Sequence, residues 1–379
     1  MSRLLTRFSK LVVLSYIIDW AVIIATALVG YAFSKVTPNH NPFSLADLSI
    51  SYPYQANETV TTGTLALVAV MAPAVIILVG SFLLVPGAAV EGNGSRSQMW
   101  RRKLWEWNAG WLGLGVALAG AFLTVQGLKD LIGKPRPDFL ARCDPDLSKI
   151  KTYTVSGLGT ELSGAPTLVT WEICRNKTSM VKGDGFASFP SGHACFSFAG
   201  MTYLTLWLCS KLQIAFPYLP YYSSRPGYLS KTEADTQSNS LPRSSSSAWR
   251  LAIRSQGAAP PVYMLIVALV PLGTASFIAA SRWYNHRHHG FDILFGTALG
   301  IFFAWIGFKW YHLPIRRGAG WSWGARSRKN AFFKAVGFPS PVGDDNWSSR
   351  GGVRQPEDIE NGDAIPGLAQ SSGTRGVDI

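Results

Sequence analysis

Three short segments of this 379-residue chain hold residue types that could act together on an anion. Lys129 is followed seven residues later by Arg136-Pro137 in LKDLIGKPRPDF. Ser191, Gly192 and His193 stand together in SFPSGHACFSFAG. Arg282, His288 and Asp292 follow one another at intervals of six and four in SRWYNHRHHGFDI. Lys129, Arg136 and Arg282 offer ammonium and guanidinium donors suited to phosphate oxygens. Ser191-Gly192-His193 follows Pro190 and opens a helix, so its unpaired N–H groups and the helix dipole make a seat for an anion, which Gly192 leaves unobstructed. Four residues apart, His288 and Asp292 are expected on one helix face, about 6 Å apart along the axis. There Asp292 accepts the Nδ1–H of His288 and leaves Nε2 unprotonated toward the anion, an oriented nucleophile. His193, on another helix, is placed to protonate a leaving oxygen.

Taken singly, each residue has an ordinary structural role. A cation at the end of a membrane span snorkels, Pro-Ser-Gly before a helix makes a turn and a cap, and an extramembrane His is solvated. That last role is the one expected of His286 and His289. What favours chemistry is that the groups converge, and convergence depends on the elements that carry them.

Hydrophobic residues make up 47% of the chain and charged residues only 15%, against about 25% charged in soluble domains. This excludes an ordinary cytosolic enzyme, a disordered chain and a coiled coil. Apolar runs near residues 17–33, 64–85, 109–128, 194–212, 261–280 and 291–310 match the roughly 20 residues needed to cross a bilayer. The expected fold is therefore all-α: a polytopic membrane protein, a six-transmembrane-helix bundle within residues 1–340. Pro73 and Pro271 would kink their spans, and Gly296 and Gly300 have the small-xxx-small spacing of close helix contacts.

Arg3, Arg7 and Lys10 precede the first span, Arg96, Arg101, Arg102 and Lys103 lie between the second and third, and a basic run follows the sixth. The positive-inside rule puts both termini in the cytoplasm, as an even span count requires. The net charge of +13 is then explained by basic cytoplasmic loops rather than by a nucleic-acid partner. The ends of spans three and five and the starts of four and six all face the lumen or the cell exterior, so the candidate residues form one extracytoplasmic rim.

The basic, apolar N-terminus resembles a signal sequence but lacks a small-residue cleavage site, so it reads as a retained first span. On the rim side lies a long loop, 137–190, with Cys143 and Cys174, either bonded or two free thiols. Sequons Asn57-Glu-Thr59 and Asn176-Lys-Thr178 share that side, which suggests a glycoprotein; Asn93 and Asn346 would stay bare in the cytoplasm. Cys195 and Cys209 are expected to be buried apolar side chains. Asp19 is either an intramembrane functional group or, with the span starting near Trp20, an interfacial residue. The Ser-rich cytoplasmic loop at 213–259 and the tail at 341–379 lack the composition for a core.

The three segments resemble the signature of the type 2 phosphatidic acid phosphatase family, the integral-membrane lipid phosphate phosphatases: KxxxxxxRP, PSGH and SRxxxxxHxxxD. They stand here as Lys129 to Arg136-Pro137, Pro190 to His193, and Ser281-Arg282 to His288 to Asp292, with every spacing met. The resemblance implies that His288 attacks phosphorus to form a phosphohistidine, that Asp292 supports it, and that His193 protonates the leaving group and then activates water. Lys129, Arg136, Ser191, Gly192 and Arg282 would hold the phosphate. The long segment between Arg136 and Pro190 departs from the pattern and is expected to shape substrate access.

The convergent charges are mainly cationic, whereas Mg²⁺ chemistry needs grouped carboxylates, so neither a metal nor another cofactor is expected. The expected activity is metal-independent hydrolysis of phosphatidic acid, lysophosphatidic acid or diacylglycerol pyrophosphate at the bilayer. A sphingoid-base phosphate or polyprenyl diphosphate remains open as substrate. A phosphate or lipid transporter without turnover is the alternative from another class, although transporters place charge near the bilayer midplane. The oligomeric state is not legible in the sequence.

Overall fold

The computed structural model describes residues 10–85, 96–212, 214, 261–315, 320–326 and 331–332. Apart from Ile214, the Ser-rich loop at 213–259 lies outside them, as do the tail at 341–379 and the sequons at Asn93 and Asn346. Six long helices stand among the described residues: α1 (Lys10–Phe33), α2 (Thr62–Leu83), α3 (Arg96–Ile132), α4 (Gly192–Lys211), α5 (Val262–Tyr284) and α6 (Gly290–Tyr311). Five of them, all but α4, are long and apolar enough to cross a membrane.

The exception has a physical reason. α4 is the hub of the bundle, packed against α2, α3, α5 and α6, and thirteen of its 20 residues are buried. A helix shielded by its neighbours need not be apolar all round, provided its polar groups are satisfied. Ser197 donates to Ala194 O at 3.1 Å and Thr205 to Ala268 O at 3.0 Å. The peripheral helices do the reverse. α1 leaves Ile17, Val22, Ile24 and Leu28 more than half exposed, and α5 does so with Ile266, Val270 and Phe277. So wide an exposed aliphatic surface is a liability in water and suits lipid.

Local backbone features follow from single residues. α2 contains a π-turn at Leu67–Met71 just before Pro73. A proline in mid-helix has no N–H to donate and crowds the preceding turn, and the wider turn absorbs the mismatch. Gly296 and Gly300 of α6 face α4 at backbone contact. A Cβ on Gly296 would come within 2.5 Å of Ser191 O, and one on Gly300 within 2.3 Å of Cys195 O. Gly300→Ala must therefore push the two helices apart, at a cost of about 1–3 kcal/mol. A lower thermal midpoint in detergent is expected, and an unchanged midpoint would show that the helices are not in contact there.

The 137–190 segment is not a bare loop. Together with residues from the α1–α2 connection it folds into a cap over one end of the bundle. Phe43, Ile50, Phe139, Val169 and Phe186 form its core, and Cys143 and Cys174 are disulfide-bonded. A small antiparallel sheet, β1 (Thr154–Ser156) with β2 (Leu168–Val169), extends through a bridge between Phe43 and Val169. The apolar residues of this cap follow no helical or strand period, which is why the sequence reads it as a loop. Asn57 is exposed, whereas the Asn176 amide donates to Arg142 O at 3.0 Å.

At the opposite end, buried Glu106 pairs with Lys211 at 2.5 Å and accepts from Ser322 N and Oγ. α1 begins at Lys10, earlier than expected, so Asp19 lies inside the helix and pairs with Arg326 at 2.6 Å.

Candidate functional site

The last turn of α3 delivers Lys129. Gly133, at φ +59°, then breaks the helix, and Arg136 is drawn beneath the cap with 7% of its surface exposed. α4 opens on Ser191, whose Oγ caps Ala194 N at 3.4 Å. Gly192 follows, and Lys129 Nζ stands 3.4 Å from where its Cβ would be. The last turn of α5 supplies Arg282, and a turn through His286 (φ 54°) brings His288 inward before α6 begins at Gly290.

These pieces enclose a cavity of about 290 Å³, lined by Lys129, Arg136, Gly192, His193, Arg282 and His288, six of the eight candidate residues. Its other end is apolar, walled by Leu65, Ala66, Ala121, Phe122, Val125 and Phe196. Ser191 and Asp292 lie behind the wall, both fully buried, and are joined by a 3.0 Å bond from Ser191 N to Asp292 O.

His288 and Asp292 do not pair, contrary to the helical spacing. α6 starts two residues after His288, with His289 as its N-cap, so the i,i+4 geometry never forms. Instead, His288 Nδ1–H donates to the backbone carbonyl of Ser188 at 2.6 Å, which leaves Nε2 unprotonated at 3.5 Å from Arg136 Nη1. Burial first, then the cations of Arg136 and Lys129, push His288 well below the ordinary imidazole value. Asp292 accepts instead from Lys134 Nζ (2.8 Å), Ser188 Oγ (2.6 Å) and both His289 N and Nδ1 (3.1 Å each). It therefore fixes the residue that fixes His288. His289 is thus part of this network rather than a solvated loop residue, and His286 stacks on Tyr52 at 4.8 Å. His193 Nε2 is buried and has no hydrogen-bond partner among the described residues.

Two carboxylates that no motif marks also line the cavity, Glu58 and Asp184. Asp184 Oδ1 accepts from Arg136 Nη2 at 2.7 Å and Oδ2 from Arg142 Nη1 at 2.5 Å. Burial opposes its ionisation, but Arg136 and Arg142 hold its carboxyl well below the usual range. Glu58 Oε2 accepts from Arg282 Nη1 at 2.8 Å. Burial works against its charge too, and Arg282 and Arg287 again more than offset it. Glu58 reads in sequence only as the middle of a sequon, and Asp184 and Ser188 sit in the aperiodic cap segment. No local signal could have found them.

Residues 110–316 match the PAP2 superfamily. The chain is 30% identical to "Probable diacylglycerol pyrophosphate phosphatase 1" of Schizosaccharomyces pombe, over 78% of its own length and 81% of that protein. It is 28% identical to "Diacylglycerol pyrophosphate phosphatase 1" of Saccharomyces cerevisiae, over 78% and 80%. With "Lipid phosphate phosphatase 2" of Arabidopsis thaliana it shares 24% identity, over 80% and 79%. No solved structure matches it.

Proposed function

The chain belongs to the PAP2 superfamily, and from that premise we propose that it is a membrane lipid phosphate phosphatase working through a phosphohistidine. The observation that carries this is His288: its Nε2 is unprotonated because Nδ1–H is committed to Ser188 O at 2.6 Å, and it faces a cavity that also holds Lys129, Arg136, Arg282 and His193. The Nε2 lone pair attacks phosphorus. The bond from phosphorus to the leaving oxygen breaks, and His193 gives that oxygen its proton. His193 then takes a proton from water, the hydroxide attacks phosphorus, and the P–N bond breaks to release orthophosphate. Lys129, the inner N–H groups of Arg136 and Arg282, and the α4 N-terminus at Gly192 neutralise the equatorial oxygens. Ser191 acts as the cap of that helix, and Asp292 positions Ser188.

The substrates are phosphatidic acid, lysophosphatidic acid and diacylglycerol pyrophosphate. The apolar wall from Leu65 to Phe196 suits the glycerol and first methylenes of a lipid whose tails stay in the bilayer. α4 serves as a sixth crossing, shielded by its neighbours. Both termini are then cytoplasmic and the cap is lumenal or extracellular, with Arg101, Arg102 and Lys103 near the start of α3 on the cytoplasmic side. Phosphate release from mixed micelles of each lipid tests the reading. It fails if none is hydrolysed, and faster release from a sphingoid-base phosphate or a polyprenyl diphosphate would reassign the substrate.

Glu58, Asp184 and Asp292 are each paired with an arginine or lysine, so these three carboxylates are already neutralised and poorly placed to share a cation. Full activity in excess EDTA is expected, with no gain from added Mg²⁺. Loss in EDTA and recovery with Mg²⁺ would contradict this charge assignment.

A further inference from the structure

The structure assigns Glu58, Arg287 and Asp184 to a charge-alternating clamp that sets the orientation of the two site guanidiniums, Arg282 and Arg136. This assignment rests on the reading of the cavity as a phosphoryl-transfer site. The clamp is continuous. Arg282 Nη1 meets Glu58 Oε2 at 2.8 Å, and Glu58 Oε1 meets Arg287 Nη2 at 3.0 Å. Arg287 Nη1 lies 3.7 Å from Asp184 Oδ2, and Asp184 Oδ1 meets Arg136 Nη2 at 2.7 Å. It joins the α1–α2 connection, the α5–α6 connection and the cap, none of which is near another in sequence.

Counting donors shows what the clamp does. A guanidinium has five N–H groups. Arg282 spends one each on Ser281 Oγ (3.1 Å), Val60 O (2.8 Å) and Glu58. Arg136 spends one each on Asp184 O (2.7 Å), Arg287 O (3.0 Å), Asp184 Oδ1 and, at 3.5 Å, the unprotonated His288 Nε2. Arg282 is thus held on three sides and keeps one N–H on each terminal nitrogen for a ligand, whereas Arg136 is held by four bonds and keeps one N–H, on Nη2. A fork fixed in advance loses little freedom on binding and needs no reorganisation as charge develops.

Arg287 is not a phosphate ligand. It does not line the cavity, its side chain is 6% exposed, and its guanidinium lies over the Tyr54 ring at 5.1 Å, with Arg142 also against that ring at 5.0 Å. A cation buried between two carboxylates, one residue before the nucleophile, is placed to hold those carboxylates in register.

Two negative charges on the wall of an anion site oppose anion binding, and this separates the clamp from a plain electrostatic effect. Removing either charge alone should tighten orthophosphate, whereas loss of the clamp should slow turnover. The test uses full-length Glu58→Gln, Asp184→Asn, Arg287→Gln and Arg287→Lys in mixed micelles, reading kcat, KM, orthophosphate inhibition and thermal midpoint. Expected is a fall in kcat of about 10–100-fold in the first three, with orthophosphate inhibition undiminished or stronger in Glu58→Gln and Asp184→Asn, and partial recovery of kcat in Arg287→Lys. Wild-type kcat in Glu58→Gln and Asp184→Asn overturns the clamp. So does a loss of activity that only follows the loss of folded protein. If these variants do not fold, Glu58→Asp keeps the charge but withdraws it by one methylene: a reduced kcat supports the clamp and an unchanged one rejects it. His288→Ala separates the two levels. If it is inactive while the clamp variants are normal, only the clamp is rejected. If it is fully active, the site reading itself fails.

Discussion

His288→Ala is expected to lower phosphate release by about four orders of magnitude or more, the loss seen when a covalent nucleophile is removed. The cavity should still bind the anion through Lys129, Arg136 and Arg282, but among the described residues no other unprotonated ring nitrogen is held against Arg136: Nε2 stands 3.5 Å from its Nη1 and Nδ1–H is fixed on Ser188 O. Brief exposure of the wild-type protein to ³²P-labelled lipid should leave an acid-labile, alkali-stable label, and His288→Ala should leave none. His193→Ala should show the other half of the cycle. With diacylglycerol pyrophosphate labelled on its terminal phosphate, whose leaving group is a phosphate rather than an alkoxide, attack can proceed without the acid, but water is no longer activated, so label accumulates. A transporter that merely binds phosphate would keep its flux in His288→Ala and never carry label. Wild-type hydrolysis by His288→Ala would remove the proposed nucleophile altogether.

Asp292→Asn is expected to cost about 10²–10³-fold in kcat, less than removing the nucleophile and with more effect on turnover than on KM. Asp292 is fully buried and accepts from Lys134, Ser188 Oγ and His289 through two carboxylate oxygens. Asparagine has one acceptor oxygen, and its amide is a donor, so the bonds of one carboxylate oxygen are lost and a buried donor is left unpaired. The segment that moves is Ser188, whose carbonyl selects the tautomer of His288. Ser188→Ala keeps that carbonyl and loses only the hydroxyl, so it should retain more activity than Asp292→Asn. Equal kcat in Asp292→Asn and the wild type would show that the network does not orient the imidazole.

Much of the cavity lining was legible before folding because its residues stand at or near helix ends in short segments of fixed spacing. Lys129, Arg136, Gly192, His193, Arg282 and His288 all belong to the three motif segments, and they line one cavity. The pairing of His288 with Asp292 was misread because a four-residue interval specifies a contact only inside a helix, and α6 begins after His288. Glu58, Asp184 and Ser188 were invisible for a different reason. They reach the site through connections whose course depends on a cap core pooled from two distant segments, and no period or motif encodes that.

The amino-acid sequence alone determined the apolar helices, their order and the family, since these depend on composition, period and a few fixed intervals. It also marked Gly296 and Gly300, whose lack of side chains lets α6 meet α4. The tertiary structure alone decided that α4 lies at the hub, that Cys143 and Cys174 bond, and that a backbone carbonyl holds the His288 ring. Those outcomes depend on which surfaces meet and on where each buried N–H and carboxylate finds a partner, a requirement settled only when the whole chain has packed.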